Sequence, residues 1–562
     1  MSGPPHGGRN TYRLRPTRLV ERRIGLLFAA FLLLLGIAAG RAAWLGTVRA
    51  EDLRGRAADQ QVSDLEVAAR RGTVTDRHGH ELAVSEDAVT VFAHPFLVDR
   101  PDLVARRLAG PLDRSAKDLA RKLSDRRRGF VYLGRKLDPE VGRAVERLDV
   151  EGVDTVTEPR RRYPQRELAA QLLGTVGTDN YGLSGLEQSH EATLHGENGR
   201  RRLVKDALGK PISIVDLRRA VPGDDLRLTL DAAIQERTEA VLEEVGERYS
   251  ARGATALVLD PRTGGLLAVA NWPSVDANRA GAALSPAHPN RAVAASYEPG
   301  STFKAVTMSG ALEDGLIEPE TPFSLPPTIR VADREIRESH ARGPVVLSAA
   351  EVLAQSSNVG SVTIGLRLGA RRFDHWVRRF GYGRPTGVDL PGEGTGIVPR
   401  PSDYSGSSMG NLPIGQGLAA TPIQMAAAYA AIANGGVVHR PHVVAGARAP
   451  ARRIISERTA RRISRMLEGV LGPGGTAQEA RVPGYRLAGK TGTAQKPDGF
   501  GGYSKTKYVA SFIGYAPARR PRLLVAVAVD EPRGEIYGGA VAAPAFEKIV
   551  SFALPYLRIP PG

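Results

Sequence analysis

The stretch ASYEPGSTFKAV, from Ala295 to Val306, places a serine after a Pro-Gly pair and a lysine three residues further on. A helix starting after that turn would carry Ser301 and Lys304 on one face. A serine hydroxyl is a weak nucleophile until a neighbouring base takes its proton, so the pair could be a site. The spacing alone does not decide it, because SKTK, Ser504 to Lys507, has the same form.

Two further motifs follow in order: Ser356-Ser357-Asn358, then Lys490-Thr491-Gly492-Thr493. The first motif is expected to open a helix, the second to lie in a helical middle and the third on a late strand. Together they supply the parts of an acyl-transfer site. Lys304 can act as base only if its charged form is disfavoured. Burial would do that, and so would a second cation, for which Lys490 is the candidate. Ser356 can relay a proton toward a leaving amine, and Asn358 can hold Lys304 and a substrate amide. The N–H groups of Ser301 and Thr493 can form an oxyanion hole. Gly492 is expected to leave room for substrate as an added strand, and Thr491 and Thr493 with Lys490 to bind a terminal carboxylate. Ser504 falls on a polar loop between strands, and RTG at Arg262 on a hairpin turn.

The surrounding pattern predicts one sheet built from both ends of a domain. ATALVLDPRTGGLLAVANWP (Ala254–Pro273) reads as an antiparallel hairpin. YRLAGKTGTA (Tyr485–Ala494), YVASFIGYAP (Tyr508–Pro517) and RLLVAVAVDEP (Arg522–Pro532) read as three more strands. The intervening residues are mostly helical in pattern, as in TPIQMAAAYAAIANGG (Thr421–Gly436). The fold class expected is α/β (α+β). Upstream, RRGTVTDRHGHELAVS (Arg70–Ser85) reads as a hairpin around DRHG, and SEDAVTVFAHP (Ser85–Pro95) as a strand. His78 and His80 lack a third ligand nearby and are expected to be solvated, with no metal. AVPGDDLRLTLD (Ala220–Asp231) is expected to close one unit and start the next with a strand. Nothing of domain size is expected after the last strand.

Length allows about three or four units. The chain of 562 residues is 42% hydrophobic and 24% charged, as folded proteins are. It has no cysteine, which excludes disulfides, thiolate zinc sites and a cysteine nucleophile. The net charge of +17 is spread along the chain and not gathered in one tract. Anionic lipid headgroups or envelope polymers are therefore expected to meet it, and nucleic acid is not. Ile24 to Gly40 is uncharged and apolar, about 26 Å long as a helix. Arg9, Arg13, Arg15, Arg18, Arg22 and Arg23 precede it against only Glu21, which predicts a cytoplasmic N-terminus. A cleaved signal peptide is the rival reading. The length of the run and Arg41 favour an uncleaved anchor, with Trp44 at the interface.

The three motifs resemble the S-x-x-K, S-x-N, K-T-G set of the penicillin-recognising serine enzymes. RRGTVTDRHG (Arg70–Gly79), RRYP (Arg161–Pro164), YGLSGLEQ (Tyr181–Gln188) and LVKDALGKPI (Leu203–Ile212) look like pedestal motifs of class B penicillin-binding proteins. YEPGSTFK, SSNVG, GQG (Gly415–Gly417) and KTGTAQ match the transpeptidase half. EPGSTFK and KTGTAQ are most similar to the division-specific, FtsI-like branch. The resemblance implies a transpeptidase fold with a five-stranded antiparallel sheet flanked by helices. The implied organisation is a basic cytoplasmic tail (1–23), a transmembrane helix (24–44), a pedestal or dimerisation-type domain (45–222) and a transpeptidase domain (223–562).

By the same resemblance, Ser301, Lys304, Ser356, Asn358 and Lys490 are catalytic, and Thr491, Gly492 and Thr493 bind substrate or oxyanion. Ser301 would attack the penultimate D-alanine carbonyl of a peptidoglycan stem peptide, and β-lactams would acylate it. No cofactor or metal is implied. Partners would be a lipid II polymerase of the FtsW type and other division proteins, at the plasma membrane, with the catalytic domain on the outer face. No glycosyltransferase is expected: in the E-D-x-x-F-x-x-H signature of bifunctional relatives two residues separate Asp from Phe, whereas four separate Asp87 from Phe92 here. Alternatives are a D,D-carboxypeptidase or β-lactamase, which needs neither pedestal nor anchor, and a non-catalytic sensor or scaffold, against which the intact motif set argues.

Overall fold

A computed structural model of the chain describes residues 18–49, 62–205, 211–279, 289–447, 450–499 and 502–561. The protein divides into two compact units, Met1–Val67 with Asn198–Arg219, and Ala68–Glu197 with Ala220–Gly562.

In the first unit, the helix Arg18–Thr47 carries the apolar run. Ile24, Leu27, Phe28 and Leu35 are each more than half exposed, as lipid-facing side chains are. Among the described residues this is the one helix long and apolar enough to cross a membrane, over Arg22–Thr47. The guanidiniums of Arg41 and Arg49 lie 4.6 and 5.0 Å from the Trp44 ring. A three-stranded antiparallel sheet completes the unit: Val62–Val67 pairs with Gly199–Lys205, which pairs with Pro211–Arg218. Arg9, Arg13 and Arg15 lie outside the described residues, as does part of the LVKDALGKPI motif.

In the second unit, Val74–Thr75 and Glu81–Ala93 form the expected hairpin. The Asp76 carboxylate accepts the backbone N–H groups of His78 (2.8 Å) and His80 (2.9 Å), which closes its turn. The two histidines are not simply solvated: His78 Nε2 meets Asp231 and His80 Nδ1 meets Asp76, each at 3.1 Å. SEDAVTVFAHP is indeed strand, part of Glu81–Ala93, which pairs with Val131–Leu137 and along its length with Val153–Arg162. Behind it lies a buried ionic cluster. Glu187 receives Arg71 Nε at 2.9 Å and Arg161 Nε at 2.6 Å. All three side chains are at most 3% exposed; Arg71 also reaches Glu191 and the carbonyls of Asn180 and Glu187, and Arg161 reaches the Gly72 carbonyl, while Arg161 Nη2 is buried without a partner among the described residues.

The Leu226–Arg227 strand departs from expectation. It does not begin the downstream sheet. It pairs in parallel with Val74–Thr75 and so closes the upstream one. Polypeptide direction explains this: the Pro222-Gly223 turn packs back on Leu194, leaving Leu226 beside Val74.

The central sheet has the order Leu266–Trp272, Gly253–Leu259, Leu523–Asp530, Tyr503–Ala516, Ala488–Pro497, all antiparallel. Its strands do come from both ends of the domain. They read as continuous apolar runs because both faces are covered. Ala232–Arg248 and Gly538–Tyr556 cover one face, and Pro422–Ala433 packs on the other. Every residue of Pro422–Ala433 is buried, and Thr421 with Gln424 closes its N-terminus as a capping box.

Candidate active site

Ser301 lies on a 3-10 turn, Gly300–Phe303, and Lys304 is the first residue of the α-helix Lys304–Glu313. The helix therefore opens later than the spacing predicts, and the difference matters. In a 3-10 turn residues i and i+3 eclipse, so Lys304 projects from the same line as Ser301. Gly300 has φ +51, and a Cβ there would stand 3.1 Å from the Ala494 methyl. The Pro-Gly pair thus supplies both the left-handed backbone and the close approach to the Ala488–Pro497 strand.

Ser356 sits between two helices, Ala349–Ala354 and Asn358–Leu368. Its φ of +60 is a left-handed conformation costing a β-carbon residue about 1–3 kcal/mol. That turn aims its carbonyl and hydroxyl at the Lys304 amine. Lys304 Nζ lies 2.6 Å from Ser356 O, 2.7 Å from Asn358 Oδ1 and 3.3 Å from Ser356 Oγ. The two short bonds occupy both N–H groups of a neutral amine, which leaves its lone pair to accept a proton.

Lys304 and Lys490 are both wholly buried. Burial lowers Lys304 to about 7, against the opposing pull of the Glu338 carboxylate. Lys490 is pushed well below the usual lysine range, by burial first and by the Lys304 charge second. Burial is thus the first cause of the shift in both amines, and the charge coupling between the two buried lysines comes second.

Thr491 and Thr493 face a groove of about 1170 Å³ that Ser301, Ser356 and Asn358 also line. Thr491 Oγ1 bonds Thr476 Oγ1 at 2.7 Å, and Thr493 Oγ1 accepts from the N–H of Gly538 at 3.0 Å. Lys304, Lys490 and Gly492 lie beneath that surface. Gly492 does not open space for substrate, as the sequence suggested. A Cβ there would stand 2.4 Å from Ser511 Oγ, 2.9 Å from the Thr302 methyl and 3.1 Å from Pro299 O. Its missing side chain admits the Ser301 turn itself. Ser504, the competing S-x-x-K serine, is on the Tyr503–Ala516 strand with its hydroxyl taking the N–H groups of Thr506 and Lys507.

Residues 254–551 match the penicillin binding protein transpeptidase domain, and residues 66–228 the penicillin-binding protein dimerisation domain. The chain is a class B penicillin-binding protein. It is 32% identical to peptidoglycan D,D-transpeptidase FtsI of Escherichia coli, over 96% of this chain and 93% of that protein. It is 34% identical to the probable peptidoglycan D,D-transpeptidase PenA of Neisseria meningitidis, with the same shares. Among solved structures, penicillin binding protein 3 of Mycobacterium tuberculosis complexed with aztreonam superposes with a TM-score of 0.69 at 30% identity, over 89% of this chain and 98% of that one.

Two carboxylates of this penicillin-binding protein escaped the motif reading. Glu338 accepts from Ser357 Oγ and from the Asn358 N–H, both at 2.6 Å, and pairs with Arg342 at 2.5 Å. It thereby fixes the S-x-N turn from outside it. Glu298, three residues before Ser301, accepts from the Gly417 N–H and the Tyr503 hydroxyl, both at 3.1 Å. It ties the GQG loop and a neighbouring strand to the Ser301 turn. Glu298 stands inside the quoted EPGSTFK motif and could have been flagged there; Glu338 lies in a stretch with no such signal.

Proposed function

We propose that this penicillin-binding protein cross-links peptidoglycan stem peptides at the division septum, with Ser301 as the acylated residue. The observation that carries the reading is the buried Lys304 amine. It is held by Ser356 and Asn358 at the foot of a groove that also presents Ser301, Thr491 and Thr493.

Ser301 Oγ attacks the carbonyl carbon of the penultimate D-alanine while its proton passes to Lys304 Nζ. The N–H groups of Ser301 and Thr493 stabilise the oxyanion. The C–N bond then breaks, and the leaving D-alanine amine takes a proton relayed through Ser356. An amine of a second stem attacks the Ser301 ester, releasing Oγ and forming the cross-link. Lys490 with Thr491 and Thr493 binds the terminal carboxylate, and Asn358 a substrate amide. β-Lactams acylate the same serine.

Residues 1–23 serve as a cytoplasmic tail, 24–44 span the membrane, 45–222 form the pedestal and 223–562 the transpeptidase domain on the outer face. Basic residues before the apolar helix support this orientation. An FtsW-type lipid II polymerase and other division proteins are the partners, met through the membrane helix and pedestal.

Purified protein exposed to a fluorescent penicillin should label, and Ser301→Ala should not; equal labelling of the variant removes Ser301 from its role. With lipid II, a polymerase and an acceptor amine, cross-linked dimer is expected. Free stem acid without dimer would make the enzyme a hydrolase.

A further inference from the structure

A second cavity, of about 540 Å³, shares no lining residue with the Ser301 groove. It lies where the hairpin turn after Gly253–Leu259 and the chain entering Leu523–Asp530 meet Arg77 and Arg227 of the upstream sheet. Its volume is that of a small-molecule site. Four arginines from four separate segments converge on it: Arg77, Arg227, Arg262 and Arg522. One carboxylate joins them, Asp260, and Arg262 already grips it with Nε at 3.0 Å and Nη2 at 2.6 Å. Arg227 is held in place by the Arg77 carbonyl, a neutral acceptor that leaves its charge uncompensated. Arg77 and Arg522 form no side-chain hydrogen bond or ion pair among the described residues.

General arginine richness does not account for this. Some arginines elsewhere are matched to carboxylates, as Arg135 is to Glu158 and Asp179, and others, such as Arg107 and Arg379, donate to carbonyls singly; what differs at the cavity is convergence. Here three guanidinium charges face one cavity without a counter-charge. His442, 7% exposed, adds an imidazole to the wall with Nδ1 against the Arg440 carbonyl. Leu228, Leu267, Leu557 and Ile559 also line the cavity and give it apolar surface.

We propose that this cavity binds a small organic phosphate, its phosphate on the guanidiniums of Arg77, Arg227 and Arg522 and its apolar part on the leucine-isoleucine surface. A phosphate offers several oxygens in tetrahedral array and can take guanidiniums from three directions, whereas a planar carboxylate is filled by two, as Glu187 is by Arg71 and Arg161. Arg77 belongs to the upstream hairpin and Arg522 to the central sheet, so the ligand would tie these two parts of the second unit together.

The test uses the full chain in neutral detergent at fixed ionic strength, titrated by calorimetry with pyrophosphate, with short-chain phosphatidylglycerol, and with succinate as a dicarboxylate control. Saturable binding of either phosphate compound is expected. It should weaken at least tenfold in the Arg77→Ala/Arg522→Ala double variant, and in Arg522→Glu alone, while labelling by fluorescent penicillin stays unchanged. Pyrophosphate binding alone identifies a soluble phosphate as the source, and phosphatidylglycerol binding alone a lipid headgroup. Either supports the site. Failure of both to saturate, equal binding by the variants, or equal affinity for succinate overturns it, and none of these outcomes bears on Ser301.

Discussion

Two lysines lie buried beneath the Ser301 groove, and that burial makes each of them give up its proton more readily than an exposed lysine. Lys304 has its pKa lowered to about 7, so the neutral amine becomes the major form as pH rises through that value. Acylation by penicillin should therefore climb between about pH 6 and 8 and then level. Because burial is the first cause of the Lys304 shift, Lys490→Met should slow acylation through lost carboxylate binding yet leave the midpoint near about 7. Glu338 stabilises the Lys304 ammonium, so Glu338→Gln should move the midpoint down by roughly one unit. Acylation rates measured from pH 5 to 9 for the three proteins check both arms, and a midpoint raised by Lys490→Met would restore the charge role that the sequence suggested. Spacing made Lys304 legible because a residue three positions on in a helical turn stands on the same side as Ser301, where the base proposed for it must be. Glu338 was illegible because it acts through a fold that brings a loop carboxylate onto the N–H of Asn358.

At the scale of elements, the site depends on one strand lying hard against one turn. The register pairs Lys490 with Ile513 and Thr493 with Ala510, so the K-T-G-T segment sits on the outer edge of the central sheet. Gly492 lets the Pro299–Thr302 backbone come within contact of that edge. Gly492→Ala should cost about 1–3 kcal/mol in stability, as small-to-large changes in packed interiors do, and should lower acylation by a larger factor than a comparable change elsewhere. Melting temperature and acylation rate together check this; a variant with a lowered melting point but unaltered acylation would mean that the turn does not depend on Gly492. Strands and hairpins of this sheet were readable because apolar runs bounded by turns specify them locally. The role of Gly492 was not, because a missing side chain says only that something comes close, and the partner, Thr302, is set by tertiary packing.

For the whole molecule, the boundary expected near residue 222 raises a question of what can fold alone. Leu82, Leu172 and Leu186, upstream of it, share one continuous core with Leu257, Leu259 and Val269 of the central sheet. The Leu226–Arg227 strand closes the upstream sheet, while Leu228 bridges to Val444 and the Thr229 N–H donates to the Val443 carbonyl. A chain break at 222 would therefore strip apolar contacts from the sheet that carries Lys490. Each fully buried leucine contributes about 1.5–3 kcal/mol, and a domain's whole margin is about 5–15 kcal/mol, so a handful of such losses is enough to unfold it. A fragment of residues 223–562 should thus be aggregated or molten and should not label with fluorescent penicillin. A fragment of residues 68–562, which keeps that core and drops the apolar Arg18–Thr47 helix, should label at the rate of the full chain. Near-UV circular dichroism and labelling of both fragments decide the matter. Full labelling of 223–562 would show that the upstream leucines add nothing the downstream core needs, and the pedestal would then be a separable module after all.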